Sequence, residues 1–306
     1  TSERLRMNFN LHDSLDAKAQ RLLNALEPGT VLPVHRHPHT DETYVILRGR
    51  FDVIFCDEHG RQTQRFALDP LKGVYGILVR ATLRNRMDDA SLFEGTDAAQ
   101  WREIYDLSSV QGVLAQAWDG MQLLPEAMRP PRALRLQWAV NVERIEKVYR
   151  RQERAIARLA AFYREHAIPM MLLKGYGLSL FYPVPEHRPC GDIDIWLFGR
   201  QPEADKLVAR EWGVPVDVHK EHHTTFDVDG IMVENHYDFV NKETHASNAR
   251  LERLFKQYAA QPGESVAVAG VAVYLPSEQF NALFLLRHAA VHFAAINIGL
   301  RHVLDW

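Results

Sequence analysis

A chain of 306 residues exceeds the usual size of one domain, so two domains are the starting expectation. A hydrophobic share of 46% with 25% charged residues is ordinary for a globular protein and excludes the fibrous and low-complexity classes, and a net charge of −3 gives no global signal for nucleic acid or an acidic membrane surface. No apolar run reaches about 18 residues and Thr1 to Asn10 lacks an apolar signal core, which points to the cytoplasm with no membrane partner.

The first 77 residues read as β-rich. Leu15 to Leu26 carries a helical pattern, and Val31 to Val34, Thr43 to Leu47 and Arg50 to Phe55 are short β-branched runs. Asp57-Glu58-His59-Gly60 forms a hairpin turn, with Arg65 to Leu68 as the returning strand. Residues 78–86 read as a linker, and Met87-Asp-Asp resembles an independent start. A second domain is therefore expected over 87–306, helical over 88–166, with an α/β core over 167–240 and a helical part over 245–306. Asp106-Leu-Ser-Ser opens one helix running to Leu124. Leu134 to Glu165 is a long helix with apolar positions Ile145, Val148, Tyr149, Ile156, Leu159 and Tyr163. Its other face is basic: Arg129 to Glu165 holds ten Lys/Arg against four Glu, which is usually a solvated face.

Alternation follows. Strands are expected at Pro169–Leu173 and Ile193–Phe198, and helices at Gly175–Tyr182 and Pro202–Trp212. Thr224–Val228 and Ile231–Tyr237 flank Asp229-Gly230, a strong two-residue hairpin signal. Ala249–Ala259 is helical, Val266–Leu275 is strand-like around Ala269-Gly270, and Pro276-Ser277-Glu278 opens a last helix to Ala295. The helical character of the final residues suggests that the natural domain continues further. The two cysteines, Cys56 and Cys190, match no zinc spacing and read as reduced thiols.

The chemistry concentrates in Leu172-Leu-Lys174-Gly175-Tyr-Gly177-Leu and Arg188-Pro-Cys-Gly191-Asp192-Ile-Asp194. An apolar strand runs into glycines that let backbone amides approach a phosphate at a helix start. Asp192 and Asp194, alternate residues of a strand, share a face. Their repulsion calls for a divalent cation, and hard oxygen ligands suit Mg²⁺. This pattern resembles the DNA polymerase β-type nucleotidyltransferase superfamily. With Tyr182-Pro-Val-Pro, His222-His223, Val233-Glu-Asn-His236 and Leu300-Arg-His-Val-Leu-Asp-Trp306, residues from about Trp101 to Trp306 resemble a family of largely uncharacterised bacterial nucleotidyltransferases. The resemblance implies catalytic and metal-binding roles for Asp192, Asp194 and Glu234. Lys174, Gly175, Gly177, Arg188 and Gly191 would meet the nucleotide. Asp217, in Val216-Asp-Val-His219, competes with Glu234 for the third carboxylate, and Arg188 would either bind phosphate or pair with Asp192. His222 and His223 would touch substrate or be merely solvated. His288 and His292, at i, i+4 on a helix, have zinc-ligand spacing but lack a glutamate between them, and read better as a packed or polar-lined helix. The implied activity transfers a nucleoside monophosphate from an NTP to an unknown hydroxyl acceptor.

Towards the N-terminus, Gly29 is followed after five residues by His35-Arg-His37, with Glu42 and Gly49 at cupin-motif spacing. Two imidazoles and a carboxylate suit Fe²⁺, Mn²⁺, Ni²⁺ or Zn²⁺, with His39 as a further donor. With Met7-Asn-Phe-Asn, Asp41-Glu-Thr and Leu47-Arg-Gly-Arg, residues from about Arg6 to Ile77 resemble the WbuC-type cupin metalloproteins associated with bacterial surface polysaccharide loci. No histidine lies between His59 and His166, so the second-motif ligand is missing and the barrel is incomplete. The expected fold class is therefore α+β: an incomplete cupin-like β-sandwich, then an α/β nucleotidyltransferase core with flanking helices. A second reading is a non-catalytic metal- or sugar-binding module with a degenerate transferase fold. Oligomeric state stays open.

Overall fold

The structure, a computed structural model, describes residues 6–10, 22–34, 51–68, 74–242, 247–295 and 298–306. In the N-terminal part, β1 (Arg6–Asn10) pairs antiparallel with β2 (Leu22–Leu26), and β3 (Phe51–Cys56) with β4 (Gln62–Leu68). The turn between β3 and β4 is set by Asp57, whose side chain accepts from the amides of His59 at 2.9 Å and Arg61 at 2.8 Å. Leu22–Leu26, the end of the segment with a helical pattern, is strand instead, because pairing with Arg6–Asn10 outweighs a short apolar periodicity. Val31–Val34 is irregular and exposed rather than a strand, since no strand pairs with it among the described residues. No ladder joins the two pairs among the described residues, which therefore show two two-stranded sheets and not the expected cupin-like sandwich. Thr43–Leu47 and the cupin residues His35, His37, His39 and Glu42 lie outside the described residues.

Residues 78–86 are not a linker. They fall largely within α1 (Val74–Arg84), whose Ile77, Leu78, Val79 and Ala81 are buried. An apolar stripe of this kind pays for its own docking, and it finds α2 (Ala98–Val110) and α3 (Leu114–Gln122). Together with Phe93, Trp101, Val113, Met121 and Trp138 they make one core. The helix expected from Asp106 to Leu124 is two. Asp97 opens α2 in a reciprocal capping box with Gln100, and Gly112, at φ +70°, breaks the chain before α3. The long helix α4 (Arg132–Glu165) follows.

α4 then packs on a six-stranded mixed sheet. Along the chain come β5 (Met171–Leu173), α5 (Gly175–Ser179), β6 (Ile193–Trp196), α6 (Gln201–Trp212), β7 (His223–Val228) and β8 (Ile231–His236). After them come α7 (Asn248–Ala259), β9 (Ser265–Val268), β10 (Val271–Tyr274), α8 (Glu278–Ala295) and α9 (Leu300–Asp305). The strand order is β7-β8-β6-β5-β10-β9. β6 and β8 are parallel, as are β5 and β10; the other pairs are antiparallel. Asp229 and Gly230, both at positive φ, close the β7–β8 hairpin. Ala269 and Gly270 do the same for β9–β10, so the strand-like stretch Val266–Leu275 is itself a hairpin.

Side chains alternate between the two sheet faces. Leu172, Ile193, Ile195 and Val233 join Ile156, Leu159 and Tyr163 of α4 and Val208 of α6 on one face. Met171, Leu173 and Trp196 join Phe239 and the aromatic residues Phe255, Phe280 and Phe284 of α7 and α8 on the other. Asp194 sits between Ile193 and Ile195, so it projects to this second face. No helix among the described residues is long and apolar enough to cross a membrane.

Candidate active site

The register of the two central strands builds the cluster. Parallel pairing sets Asp194 opposite Glu234 and Trp196 opposite His236. Ligand atoms of Asp194, Glu234 and His236 lie within 4.8 Å of one another. Asp194 is only 3% exposed. Its Oδ1 takes two nitrogen partners, Lys174 Nζ at 2.7 Å and His236 Nε2 at 3.1 Å, which leaves Oδ2. Burial alone would raise the Asp194 carboxyl, but Lys174 and the His236 hydrogen bond overcome it and hold the carboxyl well below its ordinary range.

Lys174 joins β5 to α5 with φ +47° and ψ −145°, a conformation in which a side chain is strained and glycine is at ease. A lysine at such a position is there for its ammonium. Burial pulls its pKa down, but Asp194 outweighs burial, with help from Glu234 and Asp192, and the ammonium sits above its ordinary value. Gly175, at φ +36°, leaves open space beside it: an added Cβ would meet only the Asp192 carbonyl at 3.6 Å.

Asp192 lies in a bend one residue before β6 and is half-buried. The fully buried Gln152 of α4 positions it, donating from Nε2 to the carbonyls of Gly191 at 2.5 Å and Asp192 at 3.3 Å. Burial first, then the charge of Asp194, raises the Asp192 carboxyl. Among the described residues Asp192 makes no ion pair.

Imidazoles form the wall on the β7 side. The rings of His222, His223 and His236 are 4.5, 5.2 and 5.7 Å apart, and His223 Nε2 is 3.6 Å from Glu234 Oε1. Burial, then the neighbouring imidazoles His223 and His236, pulls His222 down to about 4. Burial likewise lowers His223. His236 goes the other way: burial opposes its charge, but Asp194 and Glu234 raise it. The structure thus brings the His222-His223 pair to the carboxylates. Asp217 lies further out in the same cross-strand row, bridged to Thr225, which pairs with Glu234; it is exposed, and its side chain accepts from the His219 amide.

Three of the candidate nucleotide residues have definite surroundings in the fold. Arg188 pairs with Asp305 and not with Asp192. Its Nε and Nη2 bind Asp305 at 2.8 and 2.7 Å, and its Nη1 donates to the carbonyls of Gly175 at 2.9 Å and Pro189 at 3.2 Å. Burial disfavours the Arg188 guanidinium, but Asp305 outweighs it and raises its pKa. Gly177 is buried, and an added Cβ would press on the Leu172 carbonyl and Leu275 at 3.2 Å, so the position serves packing. Gly191 is exposed, and its carbonyl serves as the Gln152 acceptor.

Two predictions arise here. Asp305→Ala strands the buried Arg188 guanidinium and is expected to destabilise the fold by about 3–5 kcal/mol in denaturant titration; a loss below about 1 kcal/mol would contradict the pairing. The loop before Arg188 is held by His187, whose Nδ1 is 2.6 Å from Asp119 and Nε2 3.2 Å from Glu146. Burial lowers its imidazole, but the two carboxylates outweigh burial and raise it. A raised folded value means stability that is complete below about pH 6.5 and fades as pH rises through the folded-state value. Thermal midpoints of wild type should therefore lose a step above pH 6.5 that His187→Gln lacks. Parallel curves would show that the imidazolium contributes nothing.

Residues 1–68 match a family described as a domain of unknown function. No curated protein and no solved structure matches the chain. Residues 97–306, from the N-cap of α2 through the sheet to the C-terminal helix, match the family described as an uncharacterised nucleotidyltransferase, and the chain belongs to that family.

Proposed function

We propose that this nucleotidyltransferase-family chain transfers a nucleoside monophosphate from an NTP to a hydroxyl acceptor in a Mg²⁺-dependent reaction. The observation that carries the reading is the meeting of Asp194, Glu234 and His236 beside the Lys174 ammonium, with Asp192 near enough to act on that ammonium through its charge. The donor set fits the ion: three carboxylates offer hard oxygens, Asp192 is half-exposed and Asp194 keeps Oδ2. When bound, Mg²⁺ supplies charge neutralisation at the phosphates.

The chain's own residues then do the following. Lys174 and the unobstructed backbone of Gly175 receive the triphosphate. Asp192, Asp194 and Glu234 hold the metal and align the donor with the acceptor. The acceptor oxygen bonds to the α-phosphorus, the α–β anhydride bond breaks, and pyrophosphate leaves. The hydroxyl proton passes to a carboxylate of the cluster. Such catalysis rests on alignment and on preorganised charge.

The test uses the full chain with an extract as the source of acceptor. Label from α-phosphate-labelled NTP should enter product with release of pyrophosphate, whereas label in the γ-phosphate should leave with the pyrophosphate. Transfer of the γ-label instead would make the chain a kinase and end the proposal.

A further inference from the structure

A second cluster of metal-type donors lies on the α8–α9 side. Phe284, His288 and His292 follow one another at four-residue spacing along α8, so they share one face of that helix. Lys174 Nζ lies 5.9 Å from the Phe284 ring, which places the start of this face beside the transferase site. α9 adds His302. The rings of His288 and His292 are 4.4 Å apart, those of His292 and His302 5.4 Å, and those of His288 and His302 6.2 Å. One ligand nitrogen of each lies within 4.8 Å of the other two. None of the three makes an ion pair among the described residues.

We propose that His288, His292 and His302 bind a borderline-soft divalent ion of the Zn²⁺ class. The site has three nitrogen donors and an open fourth position, and it is separate from the carboxylate cluster. Three imidazoles without a carboxylate suit Zn²⁺ and not Mg²⁺. Zn–N bonds of about 2.0–2.1 Å require the nitrogens to close to about 3.3 Å, which ring rotation about the broad terminal torsion supplies. One local bond opposes the ion. His302 Nδ1 accepts the Gly299 amide at 3.1 Å. Coordination displaces that amide, either because Nδ1 itself binds or because Nδ1 takes the proton when Nε2 binds. A single neutral hydrogen bond is small beside metal coordination.

The placement gives the ion a use. α9 carries Asp305, which grips Arg188 and accepts from the Tyr182 hydroxyl at 2.7 Å. Arg188 in turn holds the Gly175 carbonyl. An ion joining α8 to α9 therefore braces the phosphate-side loop from behind.

The experiment strips the full chain with chelator, then titrates Zn²⁺ by calorimetry in excess Mg²⁺. Wild type should bind one equivalent that is lost, or weakened at least about 100-fold, in both His292→Ala and His302→Ala, while Asp192→Asn keeps it. In parallel, diethylpyrocarbonate modification of wild type mapped by mass spectrometry should show Zn²⁺ protecting His288, His292 and His302. This readout needs no variant to fold. No saturable Zn²⁺ binding in wild type, or protection confined to His222, His223 and His236 or to the N-terminal histidines, would overturn the site.

Discussion

Asp192→Asn is expected to lower kcat for nucleotidyl transfer by about 10³-fold while the thermal midpoint stays level or rises. The size follows from losing one anionic oxygen of a metal site, worth about 4 kcal/mol of transition-state stabilisation. The stability sign follows from the raised Asp192 carboxyl: burial and the charge of Asp194 oppose its ionised form in the fold. A neutral amide of the same shape removes that repulsion. Steady-state kinetics with calorimetry on the same preparation separates the two effects. Activity within about tenfold of wild type would remove Asp192 from the site. Asp194→Asn is a poorer probe of chemistry, because it strands the Lys174 ammonium and the His236 imidazole in the interior.

Gly120→Ala should cost about 3 kcal/mol or more, the upper end for overpacking. Gly120 lies in α3 where α1 crosses it, and an added Cβ would fall 1.9 Å from the Leu78 carbonyl oxygen and 2.8 Å from the Leu78 Cα. Both obstacles are backbone, so no rotamer change relieves the clash and the helices must part. A drop in thermal midpoint of roughly 6–12 °C is expected for a domain of this size. No drop would mean that α1 does not dock there. A chain begun at residue 87 lacks α1 and should be destabilised by the exposure of Val113, Ala117 and Met121, all of which lie in the core that α1 helps to form.

What could be read from the sequence is what local chemistry dictates. Asp229-Gly230 names its own hairpin, the apolar rhythm of α4 names its buried face, and Asp192-Ile-Asp194 after a lysine–glycine pair announces a carboxylate site. What could not be read depends on pairings far apart in the chain. Arg188 finds Asp305 across 117 residues, and Gln152 reaches Gly191 across 39. One signal for Gln152 was present: a polar side chain inside the apolar stripe between Tyr149 and Ile156 needs a buried partner. Residues 78–86 looked like a linker because a lone eleven-residue amphipathic segment has no identity until α3 offers it a glycine. The histidine cluster on α8 and α9 needed His302, which no helical periodicity links to His288 and His292.

The most direct test of the central claim is calorimetric titration of the four NTPs into the full chain, with and without Mg²⁺, and into Asp192→Ala. At least one NTP should bind at one per chain, binding should weaken at least about tenfold when Mg²⁺ is omitted, and Asp192→Ala should lose the Mg²⁺ dependence. Binding of no NTP under any of these conditions, or binding indifferent to both Mg²⁺ and Asp192, would contradict the central claim.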